Sequence, residues 1–306
     1  MGLNQTIYIC VAGPKLIMRA NREISHIVVT PSRNESSFLP ELISSMVRQT
    51  ITPTAWVIVD HNSNDSSKEI IHEAMVRFDW IHYLYIENES QRRRGAQIAG
   101  LFNSGLSEMG YNWDFYSKID ADMILPNDYF EKIFERFSEN SRLGIASGSC
   151  FVLKGGRKKI EFVSKDHTRG GLKTYKRGCF DEIGGIREVD GWDGIDNIMA
   201  QMSGWETQNF PLIRAHHRRI TGSFYGLTRG CFESGRFAYS MRYFFPFMFA
   251  RSIHRSMRKP VLLGGIFMLA GYLFALFSRS PPVANKQVIR FLRKKQQRRL
   301  LFWKRS

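Results

Sequence analysis

The sequence has few cysteines, and none of them lies close to another. Cys10, Cys150, Cys179 and Cys231 are the only four among 306 residues, and no CxxC motif is present. A zinc site or a dense disulfide framework needs cysteines that are more numerous or more closely spaced. We therefore expect four reduced thiols, as in a cytosolic protein.

Acidic residues are missing from the last part of the chain. From Arg251 to Ser306 there are 14 lysines and arginines and no aspartate or glutamate, which leaves 30 basic and 28 acidic residues before Arg251. The net charge of +16 therefore belongs to the end of the chain, and the body is nearly neutral. A neutral body argues against nucleic acid as a partner, because a phosphate-binding surface needs basic residues spread over the fold.

The N-terminus lacks the pattern of a secretory signal. No charged region precedes its apolar stretch at residues 7–12, which is cut short by Gly13 and Pro14. A signal peptide would have a basic region followed by a longer apolar run. We therefore expect the folded body to stay in the cytosol.

Strand-like and helix-like patterns alternate in the first half of the chain. Residues 27–30, 56–59 and 115–119 are strand-like runs, and the first two are rich in β-branched residues, as is typical of buried parallel strands. Residues 39–49 and 66–78 lie between them and carry apolar side chains at helical spacing. This order predicts an α/β fold with a mostly parallel, Rossmann-like sheet flanked by helices on both faces.

The C-terminal region has a different pattern. Residues 261–277 are an uncharged apolar run, which as a helix reaches roughly 26 Å and is borderline for crossing about 30 Å of hydrocarbon. Residues 237–250 are aromatic-rich, and residues 286–305 are strongly basic with interspersed apolar side chains, as in helices that lie on anionic lipid. Basic residues flank the apolar run on both sides, which favours attachment to one membrane face over a single crossing. Residues 231–306 are thus predicted to be a membrane-associating helical appendage.

The most informative segment has two carboxylates at the predicted end of the third strand. Residues 118–126 read KIDADMILP, in which Asp120 and Asp122 are separated by one residue. Ligands of open parallel sheets bind at the carboxyl ends of strands, so both side chains are placed to hold a hard cation and a nucleotide. The alternative is that they only cap a helix beginning near Asn127.

Acidic turns also follow the first two predicted strands. The first strand runs into residues 31–35, which read PSRNE, and the second into residues 60–67, which read DHNSNDSS. Helix capping could explain each turn alone. Three such turns at one edge of a parallel sheet favour a shared binding site.

Together these segments resemble family 2 glycosyltransferases with the GT-A fold, in which a P-x-x-N-E turn, a D-D-x-S-x-D turn and a DxD motif follow in this order. Residues 94–100, 177–185 and 191–196 are similar to that family's nucleotide-side helix start, acceptor loop and terminal acid motif. The resemblance implies a catalytic domain at residues 25–230. Residues 25–125 would bind the nucleotide sugar, and residues 126–230 would form the acceptor half.

The resemblance implies a donor-binding role for five residues. Pro31 and Glu35 lie on the first nucleotide-facing turn, and Asp60 matches the carboxylate that pairs with the nucleotide base. Arg94 matches an arginine near the base, and Asp120 matches the acid beside the ribose. The implied partner is a sugar carried on a nucleoside diphosphate.

The same resemblance implies a cation. Asp122 matches the ligand of a Mg²⁺ or Mn²⁺ ion that neutralises charge on the diphosphate leaving group. His216 and His217 resemble the family's H-H-R segment, where an imidazole can complete the metal site or contact the diphosphate. The alternative for these two histidines is a solvated basic loop.

An inverting transfer also needs a carboxylate that takes the proton of the acceptor hydroxyl. Asp196 is the expected base from the family's acid motif, and Asp193 is the alternative, because both lie in one short loop. Asp193 could instead be the N-cap of a helix at residues 195–202.

These observations predict an inverting glycosyltransferase at the cytoplasmic face of a membrane, with a glycan or lipid-linked acceptor and anionic lipids as further partners. The alternative is a catalytically silent, nucleotide-binding scaffold of the same fold, which is expected to lose the key acids. Asp60, Asp120, Asp122 and Asp196 are all present, so the enzyme is favoured. An RNA-binding protein would need alternating aromatic and basic residues on a sheet face, which the sequence lacks.

Overall fold

The computed structural model describes residues 24–87, 95–161, 163–219, 226–257 and 259–303. The chain forms two compact units, an N-terminal unit (Met1–Arg218) and a C-terminal unit (Arg219–Ser306). The predicted domain boundary after residue 230 lies inside a helix of the C-terminal unit, α7 (Leu227–Ser240).

The N-terminal unit is built on one sheet with helices around it. Its strands are β1 (His26–Ser32), β2 (Ala55–His61), β3 (Ile81–Ile86), β4 (Phe115–Ile119), β5 (Met123–Ile124), β6 (Leu143–Lys154), β7 (Arg157–Ile160), β8 (Leu172–Lys176) and β9 (Glu206–His217). Its helices are α1 (Leu39–Val47), α2 (Ser67–Arg77), α3 (Ala96–Met109), α4 (Tyr129–Glu139), α5 (Arg177–Glu182) and α6 (Trp192–Met202). The three predicted strands and the two predicted helices are confirmed, with bounds within two residues of those expected.

The sheet order is β3-β2-β1-β4-β8-β6-β9-β5, and β7 pairs with β6. The four strands from β3 to β4 are all parallel. Their carboxyl ends therefore meet at one edge, as the acidic turns require.

The prediction of a mostly parallel sheet is wrong for the other half. Strand β8 runs antiparallel to both β4 and β6, and β5 runs antiparallel to β9, whereas β6 and β9 are parallel. Parallel neighbours need a crossover that usually contains a helix. The chain instead reaches β8 through the β6–β7 hairpin and residues 161–171, a connection with no helix among its described residues.

Helices cover both faces of the sheet, as predicted. Successive strand residues point to opposite faces, so Val28 packs with α1, α2 and α4, whereas Ile27 and Val29 pack with α3, α5 and α6. Helix α3 lies so close to the sheet that a Cβ at Gly105 would be 2.7 Å from the Val29 side chain. The two apolar layers fix the strand ends that carry the acidic turns.

The C-terminal unit is helical. It contains α7, α8 (Phe245–Ser256), α9 (Leu263–Phe277) and α10 (Lys286–Trp303). Helices α7 and α9 pack backbone to backbone, since a Cβ at Gly235 would lie 1.9 Å from the Met268 carbonyl oxygen. Across the described residues, none of the helices has both the length and the apolar character needed to cross a bilayer.

Candidate functional site

The turns after β1 and β2 are joined by hydrogen bonds. The Asn64 backbone N–H donates to the Asn34 side-chain oxygen at 2.8 Å, and the Asn34 N–H donates to the Ser63 hydroxyl at 2.8 Å. The Ser36 N–H donates to Asp65 at 3.0 Å. The predicted meeting of these turns at one sheet edge is thus confirmed, and they form one rigid rim.

Asp60 is buried at the end of β2 and has a fixed orientation. Its Oδ1 accepts hydrogen bonds from the backbone N–H and hydroxyl of Ser63, and its Oδ2 accepts one from the Tyr83 hydroxyl at 2.9 Å. Burial and the neighbouring Asp60 charge raise the pKa of Tyr83, which therefore stays a donor at neutral pH. Tyr83 belongs to β3, which sequence reasoning missed.

His61 links the first turn to α3. Its Nδ1 lies 3.3 Å from the Arg33 guanidinium, and its Nε2 lies 3.5 Å from the Gln97 side-chain nitrogen. Burial and the Arg33 charge lower the pKa of His61. The imidazole is therefore neutral at physiological pH.

The other three residues that were predicted to bind the donor are Pro31, Glu35 and Arg94. Pro31 lies in β1 opposite Val59 of β2. Glu35 is buried at the start of α1, where its backbone carbonyl accepts the N–H groups of Phe38 and Leu39. Arg94 lies outside the described residues.

Asp120 and Asp122 point to different partners. The Asp120 carboxylate forms an ion pair with Lys118 and is partly exposed. The buried Asp122 carboxylate lies 3.4 Å from His217 Nε2, and its backbone carbonyl accepts the N–H of Arg218 at 2.9 Å. Helix α4 begins only at Tyr129, so these contacts favour a ligand site over helix capping.

The structure brings one of the two predicted histidines to Asp122. Strand β5 pairs Met123 with His217 and Ile124 with His216. Neighbouring residues on a strand face opposite sides, and His216 stacks on Phe151 with ring centroids 5.0 Å apart. His217 therefore belongs to the candidate site, and His216 does not lie beside Asp122.

Glu161 is a site residue that sequence reasoning missed. Its Oε2 lies 3.2 Å from His217 Nδ1 and 2.9 Å from the Arg169 guanidinium. Burial alone would lower the pKa of His217, but hydrogen bonds with Asp122 and Glu161 raise it to about 9. Within the described ranges, no three His, Cys, Asp or Glu side chains cluster as a complete metal site.

Asp196 is locked in a buried ion pair. Both of its oxygens accept hydrogen bonds from Lys173 Nζ at 2.8 Å, and Oδ2 also accepts one from the Tyr175 hydroxyl. Its Oδ1 further accepts the N–H of Asn197 at 2.6 Å. The side chains of Asp196 and Lys173 are 3% and 0% exposed, so the Asp196 carboxylate has almost no contact with solvent.

Asp193 has a different environment in the same helix. Helix α6 begins at Trp192, three residues earlier than expected, and its N-cap is Gly191 rather than Asp193. The Asp193 carbonyl accepts hydrogen bonds from Lys173 Nζ at 2.7 Å and the Asn197 side chain at 2.6 Å. Asp193 is half-buried as a residue, so it is more exposed than Asp196 while its backbone is anchored.

Two adjacent glycines connect Asp193 to the DxD segment. A Cβ at Gly170 would lie 3.2 Å from Asp193 Oδ2, and a Cβ at Gly171 would lie 2.5 Å from Asp120 Oδ2. The Gly171 carbonyl also accepts the N–H of Asp120 at 3.1 Å. The glycine pair thus brings the predicted donor-side acid and the acid loop to one place.

Two buried lysines lie behind these acids. Lys118 of β4 and Lys173 of β8 are directly paired across the strands. Their ammonium groups lie 5.6 Å and 5.3 Å from the Trp192 ring, within the range of cation–π attraction. Buried lysines require a counter-charge. A lysine within a strand that is predicted to be buried implies a nearby carboxylate. This signal could have linked Lys118 and Lys173 to the predicted acids.

Comparison with known sequences identifies the family. The sequence model of "Glycosyl transferase family 2" matches residues 27–187, more than half of the chain. The succinoglycan biosynthesis protein ExoA of Rhizobium meliloti (strain 1021) is 29% identical over 113 residues, which are 36% of this chain and 32% of that protein. A GalNAc(5)-diNAcBac-PP-undecaprenol beta-1,3-glucosyltransferase of Campylobacter jejuni is 22% identical over 199 residues, 65% of this chain and 55% of that protein. The matches thus span about one third to one half of the relatives' length.

Solved structures agree in fold. The mannosyltransferase PcManGT from Pyrobaculum calidifontis, in complex with GDP-Man and Mn²⁺, has a TM-score of 0.54 at 16% identity and covers 90% of this chain and 80% of that chain. GalNAc-T7 with UDP, GalNAc and Mn²⁺ has a TM-score of 0.52 at 15% identity, with coverage of 69% and 47%. The predicted α/β fold of the GT-A type is therefore confirmed. Since the family match covers more than half of its length, the chain belongs to glycosyl transferase family 2.

Proposed function

We propose that the protein transfers a sugar, with inversion, from a nucleoside-diphosphate donor to a glycan or lipid-linked acceptor. The observation that carries this proposal is that Asp193 and Asp120 lie beside two adjacent glycines, Gly170 and Gly171. A donor on the Asp120 side would present its anomeric carbon to an acceptor near Asp193. The Campylobacter jejuni relative is a glucosyltransferase, and the two solved structures contain GDP-Man or UDP with GalNAc, which supports this chemistry.

The nucleotide would bind along the rim formed by the turns after β1, β2 and β4. Asp60 presents a fixed carboxylate that can accept a hydrogen bond from a base N–H, since Ser63 and Tyr83 prevent it from rotating. Asp120 would accept hydrogen bonds from the ribose hydroxyls. We assign Pro31, Glu35 and Arg94 to the same donor side on the basis of the family resemblance.

A divalent cation fits the Asp122 environment. Mg²⁺ and Mn²⁺ prefer oxygen ligands, and Mg²⁺ commonly takes one or two protein groups and completes its shell with substrate phosphates and water. Asp122 supplies a carboxylate oxygen, and His217 Nε2, 3.4 Å from that carboxylate, would add a nitrogen ligand after releasing the proton that Asp122 and Glu161 favour. When bound, the cation would neutralise charge on the departing diphosphate. The Mn²⁺ in the PcManGT and GalNAc-T7 complexes supports this proposal.

We assign the general base to Asp193 rather than to Asp196. The base must accept a proton from the acceptor hydroxyl while that oxygen attacks the anomeric carbon, and the nucleoside diphosphate leaves with the electrons of the broken bond. Asp193 is half-buried, whereas Asp196 is buried. Asp196 already accepts hydrogen bonds from Lys173, Tyr175 and Asn197, so a proton transfer there would break a buried ion pair.

Asp196 then has a positioning role. Lys173 holds Asp196 and the Asp193 carbonyl at the same time. This arrangement fixes the first turn of α6 to β8, so the Asp193 carboxylate is presented in one orientation. Preorganisation of this kind lowers the barrier because less motion is needed on reaction.

The cytoplasmic face of a membrane is the proposed location, because nucleotide sugars are cytosolic donors and the basic C-terminal region favours anionic lipid. A lipid-linked acceptor is consistent with that position. The alternative function, a silent scaffold, would not need an accessible Asp193 or the Asp122–His217 pair. The retained acids therefore favour the enzyme.

A donor panel tests the proposal. The purified protein is incubated with UDP-, GDP- and dTDP-sugars, with Mn²⁺ or with EDTA, and both its thermal shift and the release of nucleoside diphosphate are measured. We expect one donor class to stabilise the protein and to be hydrolysed slowly only in the presence of Mn²⁺. Binding of a nucleotide sugar without hydrolysis or transfer to any glycan or lipid-linked acceptor would support the scaffold instead.

A further inference from the structure

One face of α8 is apolar and exposed. Phe249 and Ile253 of the helix and its C-cap, Met257, follow each other at four-residue spacing, which places them on one side of the helix. Their exposed fractions are 48%, 53% and 66%. The helix therefore presents a continuous apolar stripe to its surroundings rather than to the core of the unit.

The stripe continues into the two residues before α9 and into the first turn of that helix. Val261, Leu262 and Ile266 are 57%, 65% and 60% exposed. The two helices meet at this end, because the Leu262 N–H donates to the Ser256 carbonyl at 2.9 Å. We call these six residues, Phe249, Ile253, Met257, Val261, Leu262 and Ile266, the apolar ridge.

The ridge differs from the scattered apolar residues of the N-terminal unit. Val76 and Leu212 are 89% and 86% exposed, but they lie on α2 and β9, at different places on the unit. Single exposed apolar side chains are normal in soluble proteins, whereas a contiguous patch marks a contact surface. The ridge therefore needs an occupant.

The positive charge of the C-terminal unit indicates what kind of surface would cover the ridge. From Arg219 to the end, the sequence has 18 lysines and arginines and a single acidic residue, Glu233. Arg251 and Lys259 are exposed on α8 and in the segment that follows it. A second copy of this unit would carry the same strong positive charge and repel the first. An anionic bilayer offers both an apolar layer and a negative surface.

The internal packing of the C-terminal unit suits that environment. A Cβ at Gly271 would lie 2.0 Å from the Phe232 carbonyl oxygen, and one at Gly265 would lie 2.3 Å from the Ser252 carbonyl oxygen. Helix interfaces in membranes are enriched in such small residues, because close backbone approach replaces the missing hydrophobic drive. The unit can thus keep its helix contacts when lipid surrounds its apolar side.

We infer that the apolar ridge inserts into the boundary between headgroups and acyl chains of one leaflet of an anionic phospholipid bilayer, without crossing it. Basic side chains such as Arg251 and Lys259 would then lie at the level of the anionic headgroups. This inference extends the proposed membrane attachment and is independent of sugar transfer.

Flotation with lipid vesicles tests the inference on the full chain. Vesicles of phosphatidylcholine alone are compared with vesicles that also contain phosphatidylglycerol. The variant Phe249→Glu/Ile253→Glu places two charges in the ridge, and Val76→Glu/Leu212→Glu is the matched control with two charges at exposed apolar sites of the N-terminal unit. Thermal unfolding of each variant shows whether it is folded, and light scattering gives its oligomeric state.

We expect the wild-type chain and the control to float only with the anionic vesicles, and the ridge variant to bind them at least about tenfold more weakly at an unchanged unfolding midpoint. Each apolar group withheld from lipid removes favourable burial. If the ridge variant were unfolded, Ile266→Gln would be measured instead, and weaker vesicle binding would again be expected.

Wild-type protein that binds no vesicle would overturn both the membrane attachment and the role of the ridge. A folded ridge variant that binds like wild type would overturn the role of the ridge alone. A wild-type dimer that the ridge variant dissociates, with vesicle binding unchanged, would show a second copy as the occupant. Donor hydrolysis reports on the catalytic proposal separately.

Discussion

The two units differ in the balance and the burial of their charged residues. The N-terminal unit has 26 basic and 27 acidic residues, and several of its charged side chains are buried and paired, as Lys173 is with Asp196. The C-terminal unit has 18 basic residues and one acidic residue, and it exposes apolar side chains instead. The first arrangement suits the soluble, charged donor that we propose. The second is suited to a surface that supplies the missing negative charge. The whole-chain charge of +16 describes neither unit.

The largest expected effect falls on the N-terminal unit alone. Asp193→Asn should lower kcat at least roughly a hundredfold, since general base catalysis contributes about 10² to 10⁴. Donor affinity and vesicle binding should stay at wild-type values, because the Asp193 carboxylate is not assigned to either surface. Steady-state kinetics, isothermal titration with the donor and flotation measure the three quantities.

Asp196→Asn is the companion variant. It should reduce stability, because Lys173 loses its buried counter-charge, and any loss of turnover should accompany this destabilisation. A stable Asp196→Asn protein without turnover, together with an active Asp193→Asn protein, would return the base to Asp196.

The proposed cation site gives the next effect. Asp122→Ala should weaken Mn²⁺-dependent donor binding at least roughly tenfold, because a hard oxygen ligand is lost. His217→Ala should act in the same direction, whereas His216→Ala should not, since His216 stacks on Phe151. Asp128→Ala, in an exposed pair with Lys132, is the matched control. If His216→Ala and His217→Ala weakened donor binding equally, this would contradict the assignment of only His217 to the site.

The buried pair itself can be tested in urea. Lys173→Met should reduce the free energy of unfolding by about 3 to 5 kcal/mol, because it leaves Asp196 buried without its partner. Lys173→Met/Asp196→Leu should recover most of that loss but not the turnover, since the hydrogen bond to the Asp193 carbonyl is still missing. Arg142→Met, from the exposed pair with Glu206, should cost less than about 1 kcal/mol. Full recovery of turnover in the double variant would remove the positioning role of Lys173.

The parts of the fold that the sequence predicted are those with local patterns. Strands β1, β2 and β4 are short strand-like runs next to acidic turns, so the strands and the common edge of their carboxyl ends could be inferred. Strand β8 has no such pattern, because Lys173 and the other polar residues in it are buried through contacts with distant residues. The choice between Asp193 and Asp196 depends on Lys173, 20 residues or more away in the chain. No spacing rule within the acid loop contains that information.

In the C-terminal unit, too, the sequence pattern did not predict the features that depend on tertiary packing. Composition predicted lipid as a partner, and the apolar run at 261–277 corresponds to α9. The exposed stripe of α8 depends on which side of that helix packs inward, and Met248 and Ser252 are the residues that do so. The aromatic stretch at 237–250 is also divided between α7 and α8, a break that its composition did not indicate.

The smallest expected effect is a pH dependence confined to the N-terminal unit. His26 is buried in β1, its Nε2 lies 2.8 Å from the Ser117 hydroxyl, and its ring packs on Phe130 and Phe134. Burial lowers the pKa of His26 from 6.5 to about 3. In the unfolded chain the imidazole takes up a proton near pH 6.5, whereas in the folded chain it does so only near pH 3. Unfolding therefore binds a proton between these values, and stability falls as the pH falls.

The slope contributed by His26 should approach about 1.4 kcal/mol per pH unit. Urea unfolding followed by tryptophan fluorescence measures it, and five of the six tryptophans lie before Arg219. His26→Gln removes the titrating group, so between pH 6.5 and pH 5 its free energy of unfolding should fall less steeply than that of the wild type, even if it is lower at pH 7. Parallel slopes for the two proteins would mean that His26 is accessible to protons in the folded state and that the β1 core is looser than its packing indicates. The C-terminal unit should show no corresponding difference, because the substitution lies outside it.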